Sequence, residues 1–182
     1  GRVYHGIAGM EIKCAAADET NRVLAFDDLK DEGEYYIQAG DAKSVTFAVK
    51  DWAYRDAMKA LLKFFYLQRC GTDLPEEYAG VFANTECHNT PARIYGTAMF
   101  KNVKRGWHDA GDFGRYIVPA AVTVADLFLA IELDPDLTKL DFGAPVDYPE
   151  MGPLLSEIKY ELDWMLKMQD DKTGEVYHKV TC

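Results

Sequence analysis

The stretch Gly106-Trp107-His108-Asp109-Ala110-Gly111-Asp112 decides how this 182-residue chain reads. Two carboxylates stand three residues apart with only small residues between them. They close a long loop-like segment and lie just ahead of an apolar helical run. Ala110 and Gly111 leave room for a ligand to approach the backbone, and Gly111 frees the turn geometry. Two neighbouring carboxylates can hold one water, one deprotonating it and the other orienting it. If Asp112 falls in the first turn of the helix, the dipole and the unpaired N–H groups favour its ionised form, which suits a base. On the tetrapeptide alone the ordinary alternative stays open, because Asp is common at helix starts.

Working outward, the chain reads as helices on both sides of that stretch. Asp51 is positioned to cap a helix with apolar residues at Ala57, Met58, Leu61, Leu62, Phe65 and Leu67. Residues 70–107 read as loop, punctuated by Gly71, Pro75, Gly80, Asn89, Pro91, Gly96 and Gly106. A loop of that length in a compact domain is usually functional. A second helix is expected from Tyr116 to Leu133. It is apolar almost all round and therefore expected to be buried on several sides. A third begins near Pro153, a favourable first-turn residue, and carries Leu154, Leu155, Ile158, Leu162, Trp164, Met165 and Leu166. Asp170-Asp171-Lys172-Thr173-Gly174 reads as a turn, either a solvated acidic turn or a calcium site.

The first fifty residues read as β structure, with strands expected at Arg22–Phe26, Glu34–Gln38 and Ser44–Val49. Asp31-Glu32-Gly33-Glu34-Tyr35 has the D-x-G-x-Y form of the corner in immunoglobulin-like sandwiches, where a Tyr hydroxyl ties back to nearby backbone. A whole sandwich needs roughly 100 residues, about twice what is present. The expected organisation is therefore a partial immunoglobulin-like β domain over 1–50 and a helical domain over 51–182. Three helices this apolar cannot satisfy one another, so they read as the opening third of a larger helical barrel.

Composition excludes some partners. The net charge is −10, from 30 acidic and 20 basic residues, and such a surface repels phosphate backbones and anionic lipid. Nucleic-acid and membrane binding are not expected, and no apolar run is long enough to span a bilayer. The opening Gly1-Arg2-Val3-Tyr4-His5 lacks the build of a signal peptide, which leaves export open because a leader can be removed. A neutral substrate such as a sugar meets no electrostatic obstacle. Aromatic content of 13% permits stacking platforms and helical cores alike.

Four cysteines, Cys14, Cys70, Cys87 and Cys182, are too scattered for a disulfide scaffold. Cys70, Cys87, His88 and His108 form the pattern C-x16-C-H-x19-H. Two thiolates and two imidazoles are the donor set of a closed, structural zinc site. The spacing matches no zinc finger, so buried thiols and a surface His stay open as the alternative. Cys14 and Cys182 have no evident partner.

The segment from Gly106 through Tyr116 resembles the G-W-x-D-A-G-D-x-x-K/R-Y block of glycoside hydrolase family 9. Phe65-Tyr66-Leu67-Gln68-Arg69-Cys70-Gly71-Thr72-Asp73-Leu74-Pro75 is similar to the segment preceding a zinc-bearing loop in the subgroup with an N-terminal immunoglobulin-like domain. The resemblance covers essentially the whole chain. It implies a mainly α fold, the opening part of an (α/α)6 barrel preceded by a partial immunoglobulin-like β-sandwich. It implies a cellulase-type glycosidase that cleaves β-1,4-glucan, or an oligosaccharide derived from it, with inversion. Endo-acting and exo-acting members, the latter trimming glucose or glucosamine, are not separated by these motifs.

By the same resemblance Asp112 is the general base and Asp109 helps hold the water. Cys70, Cys87, His88 and His108 bind a structural zinc, which would staple the loop and fix the backbone that presents the base. A calcium ion is carried alongside as a second cofactor with no site assigned. His178 resembles a glucan-contacting His, with an ordinary loop His as the alternative. Trp107 is read as a sugar platform or as a loop anchor, and Tyr116 and Arg93 as cleft residues. The family's general acid is a Glu near the last barrel helices, to which nothing in this chain corresponds. Inversion needs the two carboxyl groups roughly 6.5–9.5 Å apart. The chain is therefore expected to be a piece of a secreted or periplasmic enzyme whose partner is the remainder of the catalytic domain. The alternative function is an inactive, zinc-stabilised carbohydrate-binding fragment. Zinc-dependent hydrolysis would need an open metal position.

Overall fold

The computed structural model describes residues 4–181, so Cys182 and Gly1-Arg2-Val3 lie outside the described residues. The chain divides into two compact units, with the break between Tyr54 and Arg55.

The first unit is built from short antiparallel pairs. Strands β1 (Glu11–Cys14) and β2 (Glu19–Arg22) form a hairpin with Glu11 opposite Arg22, and the Arg22 guanidinium returns to the Glu11 carboxylate at 2.8 Å. β3 (Gly33–Tyr35) pairs with β6 (Phe47–Val49), and β4 (Gln38–Ala39) with β5 (Ala42–Lys43). None of the described residues of this unit is buried; Phe26, Tyr35 and Phe47 cluster their rings at 5.6 and 6.3 Å. The Tyr35 hydroxyl donates to the Asp31 carbonyl at 2.9 Å, the backbone tie that the D-x-G-x-Y pattern calls for.

All three expected strands come out shorter, split or displaced, and Glu34–Gln38 is divided between β3 and β4 with Tyr36 and Ile37 in neither. Val23-Leu24-Ala25-Phe26 is not a strand: the ladder to β1 ends at the Glu11–Arg22 pair, and Val23 stays 58% exposed. A strand without a ladder partner has nothing to satisfy its backbone. Of Ser44–Val49 only the last three residues pair in β6, because Ser44 is engaged with Ile37, accepting its N–H at 2.9 Å and donating its own to the Ile37 carbonyl.

The second unit holds the core. Helix α1 spans Arg55–Leu67, not the expected start at Asp51; residues 51–54 form a turn in which Asp51 donates its backbone N–H to Glu32, and Trp52 has φ +55°. Helix α3 spans Ile117–Leu133 and α4 spans Pro153–Lys167. Pro119 is tolerated in α3 because first-turn N–H groups have no intrahelical acceptor to lose. Gly152 precedes α4 at φ +81°, where an added Cβ would lie 2.6 Å from the Thr138 carbonyl oxygen.

Leu62 and Tyr66 of α1, Val124 and Leu127 of α3, Leu154, Ile158 and Tyr160 of α4, and Leu137, Leu140 and Phe142 of the intervening segment share one core. Each such buried apolar side chain contributes about 1.5–3 kcal/mol. Helix α3 departs from the expected burial on several sides. Only Ala120, Val124 and Leu127 are buried, while Val118, Val122, Leu129 and Leu133 are more than half exposed. Nor is the segment 70–107 structureless. It contains the short helix α2 (Glu76–Ala79), a 3-10 turn at Gly80–Phe82, and a hairpin of β7 (Ala92–Arg93) with β8 (Phe100–Lys101). β9 (Arg115–Tyr116) pairs with β10 (Lys179–Val180). Among the described residues no helix is long and apolar enough to cross a membrane.

Candidate active site and metal centre

The site is assembled on a two-segment ladder. The Cys70 N–H donates to the Gly106 carbonyl and the His108 N–H to the Gln68 carbonyl, both at 2.8 Å, with Arg69 bridged to Trp107. This zips the residues after α1 to the residues before Asp109. Gly106 fits because its φ is +88° and a Cβ there would meet the Trp164 ring at 2.6 Å.

Helix α4 forms the floor beneath the ladder. Glu157, Tyr160 and Glu161 are at most 1% exposed. The Trp107 backbone N–H donates to Glu161 Oε2 at 2.6 Å, and its indole Nε1 donates to Glu157 Oε1 at 2.9 Å. The Tyr160 hydroxyl donates to the Cys70 carbonyl at 2.6 Å. Arg69 donates to Glu157 through Nε and Nη2 and to Asp147 through Nη1, with its guanidinium over the Tyr160 ring. Burial alone would lower the Arg69 pKa, but the Glu157 and Asp147 charges outweigh it and raise it. Glu161 lies the other way. Burial pushes it up to about 8, against the Trp107 N–H bond and the Arg115 charge, which both favour the anion.

These α4 residues were missed by sequence reasoning. A signal was there: Leu154, Glu157, Ile158 and Glu161 follow the i, i+3, i+4, i+7 spacing of one helix face. Carboxylates on an apolar stripe are buried and therefore must have partners.

Cys70, Cys87, His88 and His108 converge, with one ligand atom from each lying within 4.8 Å of all the others. Cys70 Sγ is 4.0 Å from Cys87 Sγ and 3.6 Å from His88 Nδ1, and Cys87 Sγ is 3.6 Å from His108 Nε2. Two sulfurs bonded tetrahedrally to zinc at about 2.3 Å sit about 3.8 Å apart, and a sulfur–nitrogen edge is slightly shorter. The donor set therefore fits a tetrahedral ion in both chemistry and size. Burial, then the His88 ring and Arg115, push His108 down to about 4, so near neutral pH it carries the uncharged imidazole that a metal needs. Phe113, a further residue that the sequence reading passed over, lays its ring 5.2 Å from that of His108 and 6.3 Å from that of His88.

Between His108 and Phe113 the chain turns tightly. The Asp109 N–H donates to the Gly114 carbonyl and the Phe113 N–H to the Ala110 carbonyl, both at 2.9 Å. Asp109 and Asp112 are both exposed on this turn. Asp112 lies ahead of α3, not in its first turn, so the helix dipole is not what favours its anion. The Tyr116 hydroxyl donates to Asp112 Oδ2 at 2.8 Å and the Gly114 N–H to Oδ1 at 3.0 Å. The Tyr116 bond first, then the Gly114 bond and the Lys179 charge, hold Asp112 below the ordinary carboxylate range.

The remaining expected site residues divide. Tyr116 holds Asp112, and its ring faces the Lys179 ammonium at 5.8 Å. His178 is exposed and immediately precedes Lys179, the residue paired with Tyr116, and its carbonyl accepts the Ile117 N–H at 2.9 Å. Trp107 is 7% exposed, packs on Phe65 at 4.9 Å and has its Nε1 engaged by Glu157, contacts that anchor the loop, and it lines one cleft with His108, Asp109 and Tyr116. Arg93 donates Nε to the Thr97 carbonyl at 2.7 Å and ties its own hairpin. Asp170 spends its carboxylate on the turn, accepting from the Lys172 and Thr173 N–H groups and from the Tyr177 hydroxyl, which favours the solvated-turn reading over a calcium site. Cys14 is an exposed free thiol.

Comparison with known proteins identifies the family. The description "Glycosyl hydrolase family 9" matches residues 54–181, and the chain belongs to that family. It is 40% identical over 167 residues to a cellodextrinase of Butyrivibrio fibrisolvens, covering 90% of this chain and 30% of that protein. The Zn-binding triple mutant of the family 9 endoglucanase J30 matches with a TM-score of 0.86 and 33% identity over 97% of this chain and 35% of that one. AaCel9A, solved with cellobiose-like isofagomine, matches with a TM-score of 0.77 and 39% identity over 89% of this chain and 30% of that one. The chain thus spans about a third of the length of these relatives.

Proposed function

We propose that this chain is the site-bearing opening portion of a glycosidase that hydrolyses β-1,4-glucan or cello-oligosaccharides by inverting single displacement. The observation that carries the reading is the turn itself. It offers two exposed carboxylates three residues apart, one held in its ionised form by two donors, on backbone anchored through Trp107 and His108. Asp112 takes a proton from water as that water attacks the anomeric carbon, and Asp109 orients the same water. The bond to the leaving sugar oxygen breaks as a general acid, a Glu not assigned within these residues, protonates that oxygen. His178 and Tyr116 border the sugar path. The names of the relatives, a cellodextrinase and endoglucanases, support the substrate class.

In this reading the second unit opens an (α/α)6 barrel, and the half-exposed faces of α3 are where the remainder of the catalytic domain packs. The first unit, with its Tyr35–Asp31 tie, is part of an immunoglobulin-like sandwich. Cys70, Cys87, His88 and His108 would hold a structural zinc; with four protein donors no position is left for water, so the metal supplies rigidity and not a nucleophile. Calcium is given no site. The protein acts outside the cytoplasm, secreted or periplasmic.

The test is hydrolysis of cellotetraose by protein that carries this chain within the full length of the family's catalytic domain, followed by proton NMR. The α-anomer should appear first, and Asp112→Asn should lower turnover by about 10²–10⁴-fold while cellotetraose still binds. First appearance of the β-anomer, or turnover undiminished by Asp112→Asn, would contradict the reading. A preparation that binds cellotetraose and never cleaves it would favour the carbohydrate-binding alternative.

A further inference from the structure

None of the four metal-ligating residues lies on α4, yet two of them are held in place by it. The Tyr160 hydroxyl grips the carbonyl of Cys70 at 2.6 Å. Glu161 grips the backbone N–H of Trp107, the residue before His108, at 2.6 Å, and Glu157 grips the Trp107 indole at 2.9 Å. The same Glu157 binds the guanidinium of Arg69, the residue before Cys70, through Nη2 at 2.9 Å. Backbone bonds then lock the two ligand-bearing segments together, Cys70 to Gly106 and His108 to Gln68. Cys87 and His88 are fastened differently. They sit on the outer loop, tied through Glu86, whose N–H donates to Asp73 and whose carboxylate pairs with Lys104.

We propose that Glu157, Tyr160 and Glu161 of α4 are positioning residues that preset Cys70 and His108, the inner half of the four-donor metal site, for the ion. The proposal rests on the zinc reading given above and deepens it, naming the residues that decide how tightly this chain takes metal. The physical basis is preorganisation. A ligand whose backbone is already fixed loses little freedom on binding, so removing what fixes it weakens metal affinity without removing a donor. The same grip on Trp107 fixes the entry to the turn that carries Asp109 and Asp112.

The experiment is a cobalt(II) titration of the 182-residue chain under reducing conditions, read by visible absorption, with zinc affinity obtained by competition against a chelator. The unaltered chain should give thiolate-to-cobalt charge transfer and the intense d–d bands of a tetrahedral site. Tyr160→Phe should bind both metals about 10- to 100-fold more weakly, with displaced d–d bands, at temperatures where circular dichroism shows the chain folded. Glu161→Leu should do the same, and Glu161→Gln, which keeps an oxygen facing the Trp107 N–H, should restore most of the affinity. A role confined to stability would lower Tm and leave affinity and spectrum of the folded chain unchanged. That result in Tyr160→Phe would overturn the proposal, even if Glu161→Leu failed to fold. Absence of the charge-transfer band in the unaltered chain would instead strike the zinc reading itself, and the proposal with it.

Discussion

The Tyr116 hydroxyl donates to Asp112 Oδ2 at 2.8 Å, from the first residues after the turn back onto the carboxylate at its end. The donor stabilises the charged form of Asp112 and is the largest cause of its lowered pKa. Tyr116→Phe removes that bond, so the Asp112 pKa should rise toward the ordinary carboxylate value. A base works only when ionised, so the acid limb of the kcat profile should move to higher pH. The direct check is a carbon-13 NMR titration of the Asp112 carboxyl in the 182-residue chain. An unmoved titration would show that Tyr116 does not hold Asp112 in its ionised form.

The buried pair between Arg69 and Glu157 of α4 predicts a large stability loss. Arg69 and Glu157 have side chains only 3% and 1% exposed. Glu157→Ala leaves the guanidinium with Asp147 as its one acidic partner and leaves the Trp107 Nε1 without its acceptor. Removing one member of a buried pair costs about 3–5 kcal/mol. Urea unfolding followed by tryptophan fluorescence measures this, and a loss below about 1 kcal/mol would mean the pair is not desolvated as described.

Glu161 predicts a pH-dependent stability of defined sign. Its folded pKa is raised to about 8 from an ordinary 4.5, so the folded chain keeps a proton that the unfolded chain releases. Stability from this group is full below about pH 4.5 and declines as pH rises through 8, by up to about 5 kcal/mol at about 1.4 kcal/mol per pH unit. The Tm of the unaltered chain should fall between pH 5 and 9 relative to that of Glu161→Gln, which cannot titrate. Parallel Tm curves for the two proteins would refute the assignment.

Particular residues show what was legible in the sequence. The Tyr35–Asp31 tie and the start of α4 at Pro153 are local, set within five residues, and were readable. The four metal-binding candidates were readable as chemistry, but their convergence depends on the Arg69–Trp107 ladder, a long-range pairing that no spacing encodes. Glu157 and Glu161 were passed over because an acidic residue on a helix normally faces water. Only their partners Arg69 and the Trp107 N–H, 88 and 54 residues away, make their burial tolerable. Tyr116 was read as a cleft residue because its hydrogen bond to Asp112 depends on how the intervening turn folds.

The proposed zinc site at Cys70, Cys87, His88 and His108 is tested most directly by a native mass spectrum of the purified chain with and without Cys87→Ser. One zinc per chain in the unaltered protein, lost or greatly reduced in Cys87→Ser, is the predicted result. An unaltered chain without zinc, or a Cys87→Ser chain that keeps its full zinc content, would contradict it.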